Sequence, residues 1–311
     1  MQQRIWNAEA LIALTTSCGD WDLPPLSHFF VRKLVESGFL QREQLAGSLP
    51  DDKMERVRHL LSHMDEAEKI IARYEKKGFR LLLPDDDCWP RAFRKLGSRE
   101  PCYLFVLGNT ELLNTDNRIS VAGSRDLGIR AAELSERLGR ILARHGCSLV
   151  SGCARGTDSI CQEAVLAAGG NAVLFPAIPV REAMEAENCR EALEQGRIVF
   201  AAETLPELPF SAAKALSRNH MIYAMGDPAL VVAARSEKGG SWKGAADCLH
   251  AGWSPLGVFI GEETDFEGCN ELVKLGATGI SAKGRNSDIW KKIEAIRQKA
   301  KQETKFEQMH F

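Results

Sequence analysis

The chain has 311 residues, of which 44% are hydrophobic and 26% charged, as in an ordinary globular protein of one large or two modest domains. Its formal net charge of -2 at pH 7 excludes a global positive field that would draw nucleic acid to it. Any contact with nucleic acid must therefore come from a local cluster of lysines and arginines.

The N-terminal segment and the cysteines indicate a cytoplasmic protein. The first residues, MQQRIWNAEALIALTT, contain neither a long apolar segment nor a cleavage site, so no signal peptide is expected. No apolar run approaches ~18 residues, so no contact with a membrane is expected. The nine cysteines are scattered without a CxxC pair, which predicts reduced and mostly packed thiols and no metal site. No bound cofactor is predicted either.

Residues 1–78 are predicted to form a small helical domain. Two apolar patterns at helical spacing, AEALIALTT and LSHFFVRKLVESGFL, are separated by Pro24-Pro25, and the second ends near Gly38. The charged stretch 52–78 predicts one long amphipathic helix. Residues 79–117 are predicted to connect this domain to the next, with two short apolar runs adding strands to the sheet that follows.

Residues 118–284 alternate short apolar strands with helical patterns. Six runs predict strands, namely RISVAG, CSLVSG, NAVLFP, RIVFAAE, PALVVAA and SPLGVFIG. This alternation predicts right-handed βαβ units around a parallel sheet. The predicted fold class is therefore α/β, a Rossmann-like, doubly wound and mostly parallel sheet preceded by a small helical N-terminal domain. Residues 285–311 predict a basic C-terminal helix.

The loop after the first of these strands, VAGSRDLG, has the composition of an anion site. Ligands of an open parallel sheet bind outside the carboxyl ends of its strands, where this loop lies. Gly123 lets a phosphate approach the backbone, and the helix N-terminus that follows Ser124 favours an anion. Arg125 adds a forked cation that suits phosphate. The loop therefore predicts phosphate binding.

The loop after the second strand, VSGCARGTDS, extends the predicted site. Gly152 and Gly156 bracket Arg155, and two glycines at one strand exit favour close approach of a phosphate. Ser151 precedes the first glycine and is included in the predicted site. Asp158 remains open between a plain helix N-cap and a functional residue.

The helix after the fourth strand, SAAKALSRNHMIYAMG, carries more basic groups. Lys214 and Arg218 lie four residues apart and so share one helix face, with Asn219 beside them. We expect both cations to reach the same phosphate pocket. His220 is interpreted as a packed or capping histidine rather than a catalyst.

The stretch RSEKGGSWKGA after the fifth strand predicts another anion cradle. Gly239 and Gly240 follow Lys238 and precede a helix that is predicted to start at Ser241. Trp242 is interpreted as a core or lid residue rather than a platform for a base. The chain lacks the GxGxxG, Walker and G-x-S-x-G motifs, so no catalytic residue is predicted.

These motifs, in this order, resemble the DprA/Smf family of DNA-processing proteins. The similarity lies in GSRDLG, SLVSGCARGTDSICQEAVLAAGG, SRNHMIYAMGDPALVVAARSEKGGSWKGAADCL and GCNELVKLGA, and it extends upstream into DDDCWPRAFRKLGSREPCYLFVLGN. The resemblance implies a cytoplasmic, dimeric protein that binds single-stranded DNA and helps to load a RecA-type recombinase. It also implies a phosphate pocket formed by Gly123, Ser124, Arg125, Ser151, Gly152, Arg155, Gly156, Lys214, Arg218, Asn219, Gly239, Gly240 and Ser241.

Three functions remain open from the sequence. The first is a non-enzymatic single-stranded DNA-binding protein of DNA recombination, natural transformation or phage defence. The second is a sensor of a nucleotide or a nucleotide-derived signal, which the same pocket would serve. The third is a nucleotide phosphoribohydrolase of the LOG type. That enzyme would need glutamates after the glycine loop, where this chain has Ala245, Ala246 and Asp247.

Overall fold

The structure is a computed structural model that describes residues 6–18, 24–38, 50–237 and 239–309, with side chains as far as residue 299. Three parts of the sequence predictions lie outside the described residues. These are the remaining segments of the N-terminal domain, Lys238, and residues 310–311 of the C-terminal helix. Among the described helices, none is long and apolar enough to span a membrane.

A single mixed sheet organises the described part of the chain. Its strand order is β1-β2-β6-β5-β4-β3-β7-β8-β9. The strands from β3 onward pair in parallel, whereas β1 pairs antiparallel with β2 and β2 antiparallel with β6. The strands are β1 Arg80–Leu82, β2 Leu104–Gly108, β3 Arg118–Ala122, β4 Ser148–Ser151, β5 Ala172–Leu174, β6 Ile198–Ala202, β7 Ala229–Val231, β8 Leu256–Ile260 and β9 Thr278–Ser281.

The predicted fold class is confirmed, because the chain winds from β3 out to β6 and then returns to β7 on the other side of β3. The sequence prediction missed β9. This strand has only four residues, one of them a glycine. It is recognised as a strand because it pairs in parallel with β8, with Gly257 opposite Thr278. The two short runs of the connecting segment do join the sheet, as β1 and β2.

Helices cover both faces of the sheet. The four N-terminal ones are α1 Ala8–Thr15, α2 His28–Glu36, α3 Asp51–Leu61 and α4 Met64–Glu75. The later ones are α5 Ile129–Arg144, α6 Thr157–Ala167, α7 Val180–Ala183, α8 Glu187–Glu194, α9 Ala212–Met225, α10 Gly239–Ala251, α11 Glu267–Lys274 and α12 Asn286–Met309. Short 3₁₀ segments cover Arg91–Arg99, Thr110–Asn114 and Thr264–Phe266.

Two predicted helices are each divided in the structure. The single amphipathic helix expected over 52–78 is two helices, because the chain turns at Ser62 and His63 between α3 and α4. The helix expected after the third parallel strand is also interrupted. Ala186 has an extended backbone there and precedes the first residue of α8, so the chain breaks between this helix and the one-turn helix α7.

The core consists of two apolar layers, one on each face of the sheet. Every residue of β6 is buried, as expected for a strand covered on both faces. On one face α9, α10 and the segment Arg91–Arg99 contribute Met221, Cys248 and Phe93. On the other face α5, α6 and α12 contribute residues such as Leu138, Val165 and Ile293. All nine cysteines are free thiols, and seven of them are buried.

The N-terminal helices form a third apolar cluster with the antiparallel edge of the sheet. Leu11, Val31 and Tyr74 pack there with Tyr103 and Phe105 from the region of β2. The first residue of α2, His28, joins this cluster to the sheet through hydrogen bonds of its ring. Its Nδ1 accepts a hydrogen bond from the Cys102 N–H at 3.1 Å, and the ring also bonds to the backbone of Glu203.

This environment makes His28 a determinant of stability in mild acid. Burial lowers the pKa of His28 from 6.5 to about 4, against a smaller opposing effect of the Glu203 backbone. Since the unfolded chain takes up the proton first, the contribution of neutral His28 is complete above pH 6.5 and declines as the pH falls toward 4. After discounting for the partial exposure of the ring, we expect a loss of about 2 kcal/mol.

Urea unfolding of the wild type and of His28→Gln at pH 7.5 and pH 4.5 measures this effect. Glutamine keeps an acceptor and a donor but does not titrate, so the pH dependence should be weaker in the variant. Burial raises the pKa of Glu203 to about 6, which gives a contribution of opposite sign that both proteins share. Equal pH dependence in the two proteins would contradict the role of His28.

Candidate functional site

The main cleft lies at the point where the direction of winding changes. Strands β4 and β7 flank β3 on its two sides, so the loops after all three strands meet at one edge of the sheet. The cleft has a volume of about 610 Å³. Its lining includes Gly123, Ser124, Arg125, Asp126, Asp158, Phe210, Arg218, Asn219, Arg235, Gly239, Gly240, Ser241 and Lys243.

A second compartment of about 390 Å³ adjoins the first. It extends past Gly152 and Arg155 toward Ile178 and Glu182 at the exit of β5. Arg125, Ala154, Phe210 and Arg218 line both compartments and form the wall between them. The two compartments therefore form one groove along the carboxyl ends of the strands.

The first loop is anchored by hydrogen bonds within the protein. The Ser124 N–H donates to the Ala233 carbonyl at 2.9 Å, and the Ser124 carbonyl accepts from the Thr157 N–H at 3.1 Å. The Ser241 hydroxyl at the start of α10 donates to the Gly123 carbonyl at 2.6 Å. These bonds tie the loops after β3, β4 and β7 together at the edge of the groove.

The glycines of the first two loops make room for protein groups. A Cβ atom on Gly123 would lie 2.2 Å from the Thr157 hydroxyl, and one on Gly156 would lie 2.4 Å from the Ser124 carbonyl oxygen. A Cβ atom on Gly152 would overlap the Arg218 guanidinium at 1.2 Å. Close packing of the loops and of Arg218 therefore already requires these glycines, and direct approach of a phosphate stays a prediction.

A buried ion pair forms the floor of the groove. Arg218 and Asp158 are 6% and 5% exposed, and the Arg218 Nη1 lies 3.7 Å from an Asp158 carboxylate oxygen. That carboxylate also accepts from the Ala154 N–H at 3.4 Å. Burial raises the pKa of Asp158, and the Arg218 charge opposes the rise. The N-cap interpretation of Asp158 is wrong, because Gly156 occupies the N-cap position of α6.

Arg218 also has an unused donor in this floor. Its Nε–H has no hydrogen-bond partner among the described residues, although the atom is buried. Burial lowers the pKa of Arg218, and the nearby charge of Arg125 lowers it further. Arg125 and Arg218 both line the groove, so an anion bound there would relieve the repulsion between the two cations.

Arg125 stands over the same part of the groove. Its guanidinium carbon lies 5.0 Å from the centre of the Phe210 ring, a cation–π geometry. Arg125 forms no ion pair with any described residue, so its charge is available to a ligand. The sequence prediction placed Arg125 in the site but gave no indication of Phe210, which lies on the loop between β6 and α9.

An acidic residue bridges two arginines at the mouth of the groove. Asp126 forms a short ion pair with Arg155 and a second one with Arg235, at 3.2 Å. All three side chains are exposed, so each pair contributes little to stability. Arg155 was predicted from its loop. Asp126 and Arg235 were missed, although both follow strands that the alternation predicted correctly.

Three predicted site residues, Ser151, Gly156 and Lys214, do not line either compartment. Gly156 lies instead against the Ser124 and Arg125 carbonyls. Ser151 is fully buried, and its hydroxyl donates to the Val121 carbonyl at 3.0 Å within the sheet. Lys214 is directed elsewhere, because its ammonium donates to the Leu208 carbonyl at 3.0 Å. Burial lowers the pKa of Lys214, and the charge of Glu203 opposes this change. Arg218 alone therefore brings the α9 face into the groove as a cation.

The remaining predicted residues lie at the start of α10 or beside it. Asn219 donates from its amide to the Gly240 carbonyl at 3.3 Å, which holds α9 against α10. His220 packs on Trp253 and approaches Asp247 at 3.4 Å, as expected for a packed histidine. Trp242 is partly buried against the core, which agrees with its interpretation as a core residue.

Comparison with known proteins identifies similar sequences. A DprA relative from Mycobacterium tuberculosis is 27% identical over 234 residues, which are 69% of this chain and 58% of the relative. The DNA processing protein DprA of Bacillus subtilis is 24% identical over 185 residues, covering 59% of this chain and 62% of that protein. The matched region thus spans less than two thirds of the length of either relative.

Two solved structures share the fold. That of DNA processing protein A from Streptococcus pneumoniae has a TM-score of 0.68 at 20% identity and covers 93% of this chain and 98% of its own. A Helicobacter pylori structure, whose title concerns the single-stranded DNA binding mode of DNA processing protein A, has a TM-score of 0.58 at 24% identity, with 71% and 97% coverage.

The family model described as DNA recombination-mediator protein A matches residues 80–294. This range contains every described strand, the loops that line the groove and the beginning of α12. It also confirms the resemblance to the DprA/Smf proteins that the loop motifs indicated. Since the model covers more than half of the chain, the protein belongs to the DNA recombination-mediator protein A family.

Proposed function

We propose that this protein binds single-stranded DNA through phosphate contacts in the groove and carries out no catalysis there. The observation that carries the proposal is the pair Arg125 and Arg218. The first cation has no ion pair among the described residues, and the second has a buried Nε–H without a partner. Such a pair of donors at the carboxyl ends of the strands favours a bound phosphate.

The shape of the groove supports a strand rather than a single small ligand. Its two compartments, of about 610 and 390 Å³, adjoin each other, and both contain an arginine beyond the shared wall. Arg235 and Lys243 line the first, and Arg155 lines the second. A chain of phosphates can therefore meet cations along its length. The reported DNA binding of the Helicobacter pylori neighbour lends further support.

Fluorescence anisotropy with labelled oligo-dT at several salt concentrations tests the proposal. We expect saturable binding whose affinity falls as salt rises, because phosphate contacts release counterions. Calorimetry with AMP and chromatography for free adenine address the nucleotide sensor and the phosphoribohydrolase. Absence of oligo-dT binding at low salt, or tight AMP binding without DNA binding, would overturn the proposal.

The proposal extends to the assembly in which the DNA is used. We infer that the protein acts as a homodimer and delivers a RecA-type recombinase to the bound strand, as the resemblance implies. Light scattering of the purified protein measures the first property. Acceleration of recombinase filament formation on single-stranded DNA that is already covered by a single-strand binding protein measures the second.

Asp126→Asn is expected to strengthen DNA binding. The change removes a negative charge from the mouth of the groove and releases Arg155 and Arg235 for phosphates. We expect a gain of about 1 kcal/mol, or roughly fivefold in the dissociation constant for oligo-dT at low salt. Glu136→Gln on α5, an exposed acid paired with Arg140, serves as the control for net charge. Equal effects of both substitutions would contradict a local role for Asp126.

A further inference from the structure

We propose that Phe210 is a stacking platform for one base of the bound strand, placed at the wall between the two compartments. This inference rests on the proposed function. It assigns base contact to a side chain that is 47% exposed although it lines the groove on both sides of the wall. A large aromatic ring left open to water within a groove of charged residues gains from being covered by a planar apolar surface.

The loop that carries Phe210 holds the ring in place. Ser211 follows it directly and caps α9 by accepting the Lys214 N–H at 3.1 Å. The Lys214 ammonium reaches back to the Leu208 carbonyl at 3.0 Å. The backbone on both sides of Phe210 is therefore held in place, which reduces the conformational entropy that the loop loses when a base stacks on the ring.

Arg125 adds a second contact surface at the same position. Its guanidinium lies over the Phe210 ring, which orients a planar cation within the wall. A base on the exposed ring surface would leave its flanking phosphates one in each compartment, near Lys243 on one side and Arg155 on the other. Any base can stack in this way, so the platform favours a single strand without selecting a sequence.

The experiment compares oligo-dT with an abasic oligonucleotide of equal length, which keeps the phosphates and lacks the bases. The wild type should bind oligo-dT more tightly than the abasic oligonucleotide. Phe210→Ala should weaken oligo-dT binding by about 5- to 150-fold and abasic binding by much less. Phe210→Tyr should bind like the wild type. Leu208→Ala is the matched control, because Leu208 is 41% exposed on the same loop and lines neither compartment.

The outcomes separate this inference from the proposed function. A wild type that binds neither oligonucleotide overturns both. A wild type that binds the two equally well overturns the platform and leaves phosphate binding standing. Equal weakening of oligo-dT and abasic binding by Phe210→Ala would show that the ring acts only by orienting Arg125, and would also overturn the platform.

Discussion

Asp158→Ala is expected to lower the free energy of unfolding by about 3–5 kcal/mol, the largest effect of any single change considered for this chain. The substitution leaves the Arg218 guanidinium buried and without its counter-charge, in contact with the Gly152 backbone. It also removes the acceptor of the Ala154 N–H. Urea unfolding at pH 7 followed by circular dichroism measures the loss.

A double variant separates the ion pair from simple loss of packing. Asp158→Ala combined with Arg218→Met replaces the charge by an apolar side chain of similar length, so part of the lost stability should return. Glu136→Ala, which removes an exposed partner of Arg140, should change stability by less than about 1 kcal/mol. An Asp158→Ala variant as stable as the Glu136→Ala variant would contradict the buried pair as a structural element.

Arg125→Ala is expected to weaken oligo-dT binding by about 2–3 kcal/mol, roughly 30- to 150-fold, with the fold unchanged. We expect the Arg125 guanidinium to contact a phosphate, since it has no ion pair among the described residues. Its loss also uncovers part of Phe210. Anisotropy titrations at several salt concentrations should show a slope of log affinity against log salt that is shallower by about 0.7 for each lost contact.

The matched control for Arg125 is Arg140→Ala. Arg140 is an exposed arginine on α5 that pairs with Glu136 and does not line the groove. Removal of either arginine changes the net charge equally, so only a local contact distinguishes the two variants. Equal affinities of the two variants for oligo-dT would contradict the placement of Arg125 in the binding site.

The buried ion pair of Asp158 and Arg218 contributes both to the stability of the fold and to the geometry of the candidate site. Arg218 is held by Asp158 and lies against Gly152, so the same contacts that stabilise the loops orient the guanidinium in the floor of the groove. Gly152→Ala should therefore disturb binding by displacing Arg218 rather than by blocking a phosphate directly. Contacts within the chain thus form the groove and position its cations.

The sequence by itself determined the fold class and predicted the edge of the sheet at which the candidate groove lies. Apolar runs that alternate with helical patterns leave few topologies for a parallel sheet, and the carboxyl ends of its strands must then carry the binding loops. Gly123, Arg125, Gly152 and Arg155 were found for this reason. The strand β9 was missed, because four residues become a strand only by pairing with β8.

Only the tertiary structure decided which side chains share the groove. Lys214 and Arg218 lie four residues apart on one helix, yet Lys214 bonds to the loop before α9 while Arg218 is drawn inward by Asp158. Phe210 lies on a loop without a motif, and its place beside Arg125 depends on how β6 and α9 pack. Helical and strand periodicities specify faces, whereas ion pairs and stacking between distant segments depend on three-dimensional packing, which the local pattern does not encode.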